Sequence, residues 1–283
     1  NDIVWNPLTY HKEPTFFATI FDILNGFLNS IFYVIKYSIT VIHIRSYIPG
    51  LMICLLTALL NKKLIFDMRG FWADEKADRA DWNRQGNTYR FFKGFEKFLL
   101  RQSDHIVCLT KESKAILSKS YSIDLKKISV IPTCVDQSIF YPKEQQTNNL
   151  IVFGHLGSVD TAYDIDPILE YIKAISTTSK VRLDFINKGN HHFIKQRCEA
   201  HNLSRDLFTI QDSDRDNLSE ILSKVDVGCF YAKENFSIKA SMPTKIGEFL
   251  SCGKPILCNE FNEDIKDLIL TNNVGILFDF QSS

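Results

Sequence analysis

A chain of 283 residues with 45% apolar and 23% charged side chains is too long for one ordinary core and too apolar for disorder, so it reads as two globular domains. Lys plus Arg equals Asp plus Glu at 33 each, so no overall field draws it to nucleic acid or anionic lipid, and any polyanion site is local. The seven cysteines are odd in number, scattered through apolar runs and free of Cys-x-x-Cys spacing. They point to reduced thiols in the cytosol and to no structural metal. His191 and His192 have no partner at metal spacing and read as a solvated loop.

In chain order, periodicity predicts a helix near residues 15–36, a strand Thr40 to Ile44, a helix near 50–61 and a strand Lys63 to Asp67. Neither apolar run reads as transmembrane. Phe16 to Ile35 is broken by Asp22, Asn25 and Asn29, and Leu51 to Leu60 is half the ~20 residues a bilayer span needs. No signal peptide is visible, and Asn1 is not an initiator residue, so the chain reads as part of a longer product. After a polar loop come a helix near 88–102, the strand His105 to Leu109, a helix that Thr110 can cap and the strand Ile128 to Ile131. The polar run 143–149 reads as a linker between a first domain, 1–142, and a second, 150–283. The second domain has strands at Leu150 to Phe153, Val181 to Ile186, Leu207 to Ile210, Val225 to Tyr231, Pro255 to Cys258 and Val274 to Phe278. Continuous apolar strands alternating with helices imply two doubly wound parallel sheets, which bind ligands beyond the carboxyl ends of their strands.

At those ends His43 and Arg45 alternate onto one side of their strand. The next strand runs into Asp67-Met68-Arg69-Gly70-Phe71-Trp72, where Arg69 offers a fork of donors, Gly70 allows close backbone approach and Trp72 offers a flat face for a sugar. The charges Asp74, Glu75, Asp78, Arg79 and Asp81 read as a solvated run with no chemistry. In the second domain Gly154-His155-Leu156-Gly157-Ser158 reads as a turn opening a helix, able to receive phosphate on backbone N–H groups. It is not the G-x-G-x-x-G pattern, and Val181 to Ile186 leads to Asn187-Lys188-Gly189 without a ribose-binding acid, which disfavours a nicotinamide enzyme.

The densest stretch is Lys239 to Pro255. Ser241 or Thr244 can cap a short helix ended by Gly253, with Ile246, Phe249 and Leu250 as its buried stripe and Gly247 and Glu248 facing elsewhere. A helix start flanked by Lys239 and Lys245 suits a diphosphate, and a carboxylate one turn in can accept from ribose hydroxyls; a surface Glu favoured by the helix dipole fits Glu248 equally well.

This stretch resembles the donor-binding signature of the family 4 retaining glycosyltransferases, whose GT-B fold has two Rossmann-like domains facing a central cleft. The segments His43 to Tyr47, Asp67 to Glu75, Ser103 to Thr110 and Ile131 to Asp136 fall in the family's order. The resemblance implies a donor site of Gly157, Ser158, Lys188, Ser241, Pro243, Thr244, Gly247 and Glu248, with Glu248 on the ribose. It implies an acceptor site of Arg45, Arg69, Gly70 and Trp72, and His43, Lys239 and Lys245 as catalytic groups. There are two departures. Ala240 stands where the family often has a second Glu, and Val159 to Asp164 lacks the Arg and Lys that often follow the glycine turn, a charge Lys239 and Lys245 could replace. The family's opening strand and closing helices are not in the sequence, which reads as a fragment.

The implied reaction is transfer of a sugar, with retention, from a UDP- or GDP-linked donor to a glycan or lipid-linked acceptor in surface polysaccharide or glycoconjugate synthesis. It needs no cofactor beyond the nucleotide sugar and no metal. The expected place is the cytoplasm, extending to peripheral association with the inner membrane surface. The alternatives are a sugar-nucleotide epimerase of the same fold and a non-catalytic nucleotide-sugar-binding protein.

Overall fold

A computed structural model describes residues 3–11, 13, 15–144 and 149–278. The chain divides into two compact units. The first comprises Asn1–Ala77, Trp82–Leu109 and Ser113–Ile131, and the second Asp78–Asp81, Thr110–Glu112 and Pro132–Ser283. Of the linker expected at 143–149, residues 145–148 lie outside the described residues. The segment from Pro132 goes with the second unit because Phe140 is buried in that unit's core, where its carbonyl accepts from Ser251 Oγ at 2.7 Å.

The first unit runs α1 (Thr15–Lys36), β1 (Val41–Arg45), α2 (Tyr47–Leu59), β2 (Lys63–Asp67), α3 (Trp72–Asp78), α4 (Asn87–Gln102), β3 (His105–Cys108), α5 (Lys111–Tyr121) and β4 (Ile128–Val130). Its four strands are parallel and lie in chain order, β1-β2-β3-β4. Leu64 and Phe66 of β2, Ile106 of β3 and Leu99 and Leu100 of α4 are buried.

The segment expected to be a solvated loop contains α3. Asp74 is only 2% exposed and accepts from Tyr89 Oη at 2.7 Å, Lys93 Nζ at 2.8 Å and Arg84 Nη1 at 3.1 Å. Lys93 also bonds the fully buried Glu96, which accepts from Tyr47 Oη at 2.7 Å. Two buried carboxylates thus share two cations and several hydroxyls, the condition under which buried charge is tolerated. Burial pulls Lys93 down, but Glu96 and Asp74 hold its ammonium above the ordinary lysine value.

The second unit runs β5 (Ile151–Leu156), α6 (Asp166–Ile175), β6 (Val181–Ile186), α7 (His191–Ala200), β7 (Phe208–Gln211), α8 (Arg215–Ser223), β8 (Val227–Phe230), α9 (Thr244–Ser251), β9 (Ile256–Cys258), α10 (Glu263–Asn272) and β10 (Gly275–Leu277). His191 and His192 therefore open a helix rather than lying in a loop, and His191 Nε2 lies 3.0 Å from Asp212 Oδ1. The parallel strands are ordered β10-β9-β8-β5-β6-β7.

Both faces of this sheet are buried. Val152 and Leu156 enter one apolar cluster with Ile246 and Phe249, while Phe153 enters another with Leu169, Ile172 and Leu183. That explains why its strands read as continuous apolar runs. All seven cysteines are thiols and only Cys134 is exposed. Its neighbour Thr133 donates from Oγ1 to the Met242 carbonyl at 2.7 Å.

Candidate functional site

The order in which strands are added across the second sheet reverses between β5 and β8, and a doubly wound sheet opens a crevice beyond the carboxyl ends of such a pair. Past β5, Gly157 takes φ +92°, a conformation open to glycine at little cost. Its N–H bonds the Ile186 carbonyl at 2.9 Å and its carbonyl accepts from Asn187 Nδ2 at 2.6 Å. Ser158 is exposed beside it. The helix expected directly after this turn begins only at Asp166. Gly154 belongs to β5 itself, where an added Cβ would stand 2.8 Å from the Val225 methyls. Close packing, not phosphate, requires that glycine.

Lys245, in the first turn of α9, points into this crevice. Its Nζ lies 3.5 Å from the centroid of the Tyr163 ring and 5.5 Å from that of Phe230, the last residue of β8. A Cβ built on Gly157 would lie 3.8 Å from the same Nζ. The Nζ is out of solvent and has no hydrogen-bond partner among the described residues. Burial drives its pKa down to about 7, against which Cys229 and Glu248 act upward. Glu248, three residues on, has its carboxyl raised by burial, with Lys245 and Arg215 opposing. The crevice thus holds a cation short of a counter-charge one turn from a carboxylate short of solvent.

Pro243 occupies the N-cap position of α9 and no side chain caps the helix, so the caps expected from Ser241 or Thr244 are not made. Thr244 is exposed, and the Ser241 carbonyl accepts from Asn262 Nδ2 at 2.8 Å. A Cβ on Gly247 would meet Val135 at 3.4 Å. Lys239 lies in the turn Ser237–Ala240 with its side chain 46% exposed, and Ala240 is buried. Lys188 is exposed and held by Asp214 at 3.0 Å.

In the first unit His43 and Arg45 are exposed on β1. Parallel register sets Arg45 opposite Asp67, with Arg45 Nε 3.7 Å from Asp67 Oδ2. Asp67 Oδ1 is buried with no hydrogen-bond partner among the described residues. Arg69 is exposed at φ +60°, a strained backbone for a residue with a side chain. The Gly70 carbonyl accepts from Tyr47 Oη at 2.9 Å. The structure brings Arg45 and Asp67 together, but Trp72 belongs to an aromatic cluster: it stacks on Tyr47 and meets Trp82 and Phe92 edge to face at 5.1 and 4.9 Å.

Residues 137–283 match the family model described as Glycosyl transferases group 1, and residues 6–138 match Glycosyltransferase Family 4. The first of these matches alone takes in more than half of the chain. The chain belongs to the group 1 glycosyl transferases. No curated protein sequence matches it, but solved structures do. Sucrose-phosphate synthase from Thermosynechococcus elongatus is 18% identical with a TM-score of 0.70, covering 98% of this chain and 69% of that one. A glycosyltransferase from Rickettsia africae is 19% identical with a TM-score of 0.66, covering 98% and 70%. The Anabaena protein HepE, solved with UDP and glucose, is 11% identical with a TM-score of 0.58, covering 88% and 64%. At such identities the likeness is one of fold, the GT-B fold of two parallel-sheet α/β domains.

In this glycosyltransferase the residues that hold the crevice in shape are buried polar groups outside the expected set. Asn259 clamps Ala232, just past β8, accepting from its N–H and donating to its carbonyl at 2.8 Å each. Asn262 donates to the Ile238 and Ser241 carbonyls while its Oδ1 accepts from Ile265 N–H. His155 is fully buried with Nδ1 and Nε2 each 3.1 Å from a carbonyl, those of Cys229 and Ser158. Burial drives its pKa down to about 3, aided by Lys245, so the ring is neutral and donates to one of the two. In sequence, the asparagines just past an apolar strand were the available signal, and they look like ordinary turn residues.

Proposed function

We propose that the second unit binds a nucleoside-diphosphate sugar, UDP- or GDP-linked, and that its sugar passes with retention to a glycan or lipid-linked acceptor held by the first unit. The observation that carries the reading is Lys245: a buried cation with no acceptor, at a strand-order reversal, is a receptor waiting for an anion. The diphosphate would lie against Lys245 and the Gly157-Ser158 turn near the uncapped start of α9, and Glu248 would accept from the ribose. The UDP in the HepE structure supports the choice of ligand. Lys188, already paired with Asp214, and Lys239, whose Nζ lies 3.2 Å from Glu112, would contribute less charge than Lys245.

In the transfer the bond from the anomeric carbon to the diphosphate oxygen breaks and a bond to the acceptor oxygen forms on the same face. The acceptor proton passes to the leaving diphosphate, and Lys245 offsets the charge that develops there. His43, Arg45, Arg69 and Gly70 would hold the acceptor, with no cofactor or metal taking part. The seven cysteines, all thiols, support a cytoplasmic place. Titration calorimetry with UDP and GDP tests the donor site, and mass spectrometry of products from a panel of UDP- and GDP-sugars tests the reaction. Failure of both nucleotides to bind would end the donor assignment.

A further inference from the structure

The carboxyl ends of β1 and β2 carry two residues in backbone conformations that side chains rarely accept. Ser46, directly after β1, stands at φ +72° and ψ 176°, a region that is essentially glycine's. Arg69, two residues past β2, stands at φ +60°, and across it the Gly70 N–H donates to the Met68 carbonyl at 2.7 Å. That closes a three-residue turn of the rare, strained hand. The surroundings hold both turns. Ser46 N–H donates to the Asp67 carbonyl at 2.9 Å and Met68 N–H to the Val107 carbonyl at 3.0 Å, while the Gly70 carbonyl accepts from the buried Tyr47 Oη at 2.9 Å. Strain kept in place this way collects where a chain is shaped around a ligand.

Asp67 lies between the two turns. Parallel register sets its side chain on the same face as those of Arg45 and His43. The side chain is 14% exposed although Oδ1 is buried without a partner among the described residues, so the carboxylate floors an opening rather than being sealed in the core. Arg45 Nε, 3.7 Å from Oδ2, is beyond hydrogen-bond reach. At 63% exposure the Arg45 side chain can swing aside as surface rotamers do.

The chemistry of the pair decides what fits there. A carboxylate accepts hydrogen bonds and donates none, so it repels a phosphate or a second carboxylate. The guanidinium beside it disfavours an ammonium. Neutral hydroxyls suit both, and a hexose can offer two adjacent ones to the two carboxylate oxygens. We propose that Asp67 is a specificity-determining residue of the acceptor side: it accepts from the hydroxyls of a neutral hexose unit, so the end of the acceptor that receives the transferred sugar is itself an uncharged sugar. This rests on the reading of the first unit as the acceptor side.

Ligand-observed NMR titration of the whole chain with the methyl α-glycosides of glucose, galactose and mannose, with and without saturating UDP, tests this. At least one glycoside should bind the parent and stay bound when UDP is added. Asp67→Asn keeps the shape but gives up the charge and one acceptor, and it should weaken that binding at least roughly tenfold; Asp67→Ala should abolish it. In both variants UDP affinity should be unchanged and the melting temperature no lower than the parent's, since an unmet buried acceptor is removed. Parent-level glycoside binding in the two variants would overturn the proposal, and a lowered melting temperature alongside it would make Asp67 a structural partner of Arg45. Absence of glycoside binding by the parent would overturn it too, as would displacement of the glycoside by inorganic phosphate, which would assign the place to an anion. Failure of UDP alone to bind would end the donor assignment and leave the glycoside result standing.

Discussion

The ammonium of Lys245 lies 3.5 Å over the Tyr163 ring and meets no hydrogen-bond acceptor among the described residues. The ring stabilises a cation by about 1–2 kcal/mol, less than desolvation costs it, and the pKa falls to about 7. Above that value the empty site loses its proton, while a bound diphosphate would restore it. UDP affinity is therefore expected to hold near pH 7 and to fall by up to about tenfold per unit between roughly pH 8 and 10. Calorimetry across that range checks it. In Lys245→Arg, whose guanidinium stays charged, the profile should flatten. A flat parent profile would show that Lys245 is already charged in the empty site.

The same lysine is expected to weaken the empty fold. Its folded pKa lies below the ordinary 10.5, so the unfolded chain binds the extra proton. The penalty is fully present below about pH 7 and disappears as pH rises toward 10.5, since stability rises with pH wherever the unfolded state holds more protons. Lys245→Met should raise stability at about pH 6 by on the order of 3 kcal/mol and lose the advantage near pH 10. Urea melts at the two pH values measure this. An equal effect at both would assign the gain to packing alone.

Glu248→Gln should weaken UDP binding by about 1.5–3 kcal/mol, the scale of a hydrogen bond to a charged group. Because burial raises the Glu248 carboxyl, the parent should lose affinity on acidification sooner than an ordinary carboxylate would, and the variant should not. Titrations at mildly acidic and neutral pH separate the two behaviours. Matching affinities for parent and variant would take Glu248 out of the site.

Arg69 keeps its side chain at φ +60°, a cost of about 1–2 kcal/mol that glycine avoids. Glycine adds entropy to the unfolded chain, so Arg69→Gly should change stability by less than about 1 kcal/mol. Transfer should nevertheless fall, and fall also in Arg69→Lys, which keeps the charge but not the planar fork. Donor affinity should survive in both variants. Parent-level transfer in the glycine variant would remove Arg69 from the acceptor site.

Much of this fold is legible from pattern. The second unit's strands show as apolar runs because both sheet faces are buried, and α1 and α4 show through their 3.6-residue stripes. Helix α3 is not legible, since Asp74 owes its burial to Arg84, Tyr89 and Lys93, and nothing near Asp74 in sequence announces them. Trp72 has the same difficulty: a ring after a strand reads alike whether it faces a sugar or packs on Tyr47. At the candidate donor site, spacing marks Lys245 and Glu248. What removes Lys245 from its counter-charges is Tyr163, held in place by its pairing with Ala232, a contact between distant loops. Gly154 misleads in the opposite direction, because a glycine that makes room for Val225 looks like one that makes room for phosphate.

Cys134 is the one exposed thiol of seven, so a maleimide dye added to the native protein should attach at a single known place with no engineered cysteine. Thr133 ties that place to the Met242 carbonyl, two residues before α9 begins. The dye would therefore stand beside the helix that carries Lys245 and Glu248. Its emission would give a direct optical record of ligand arrival beside that helix.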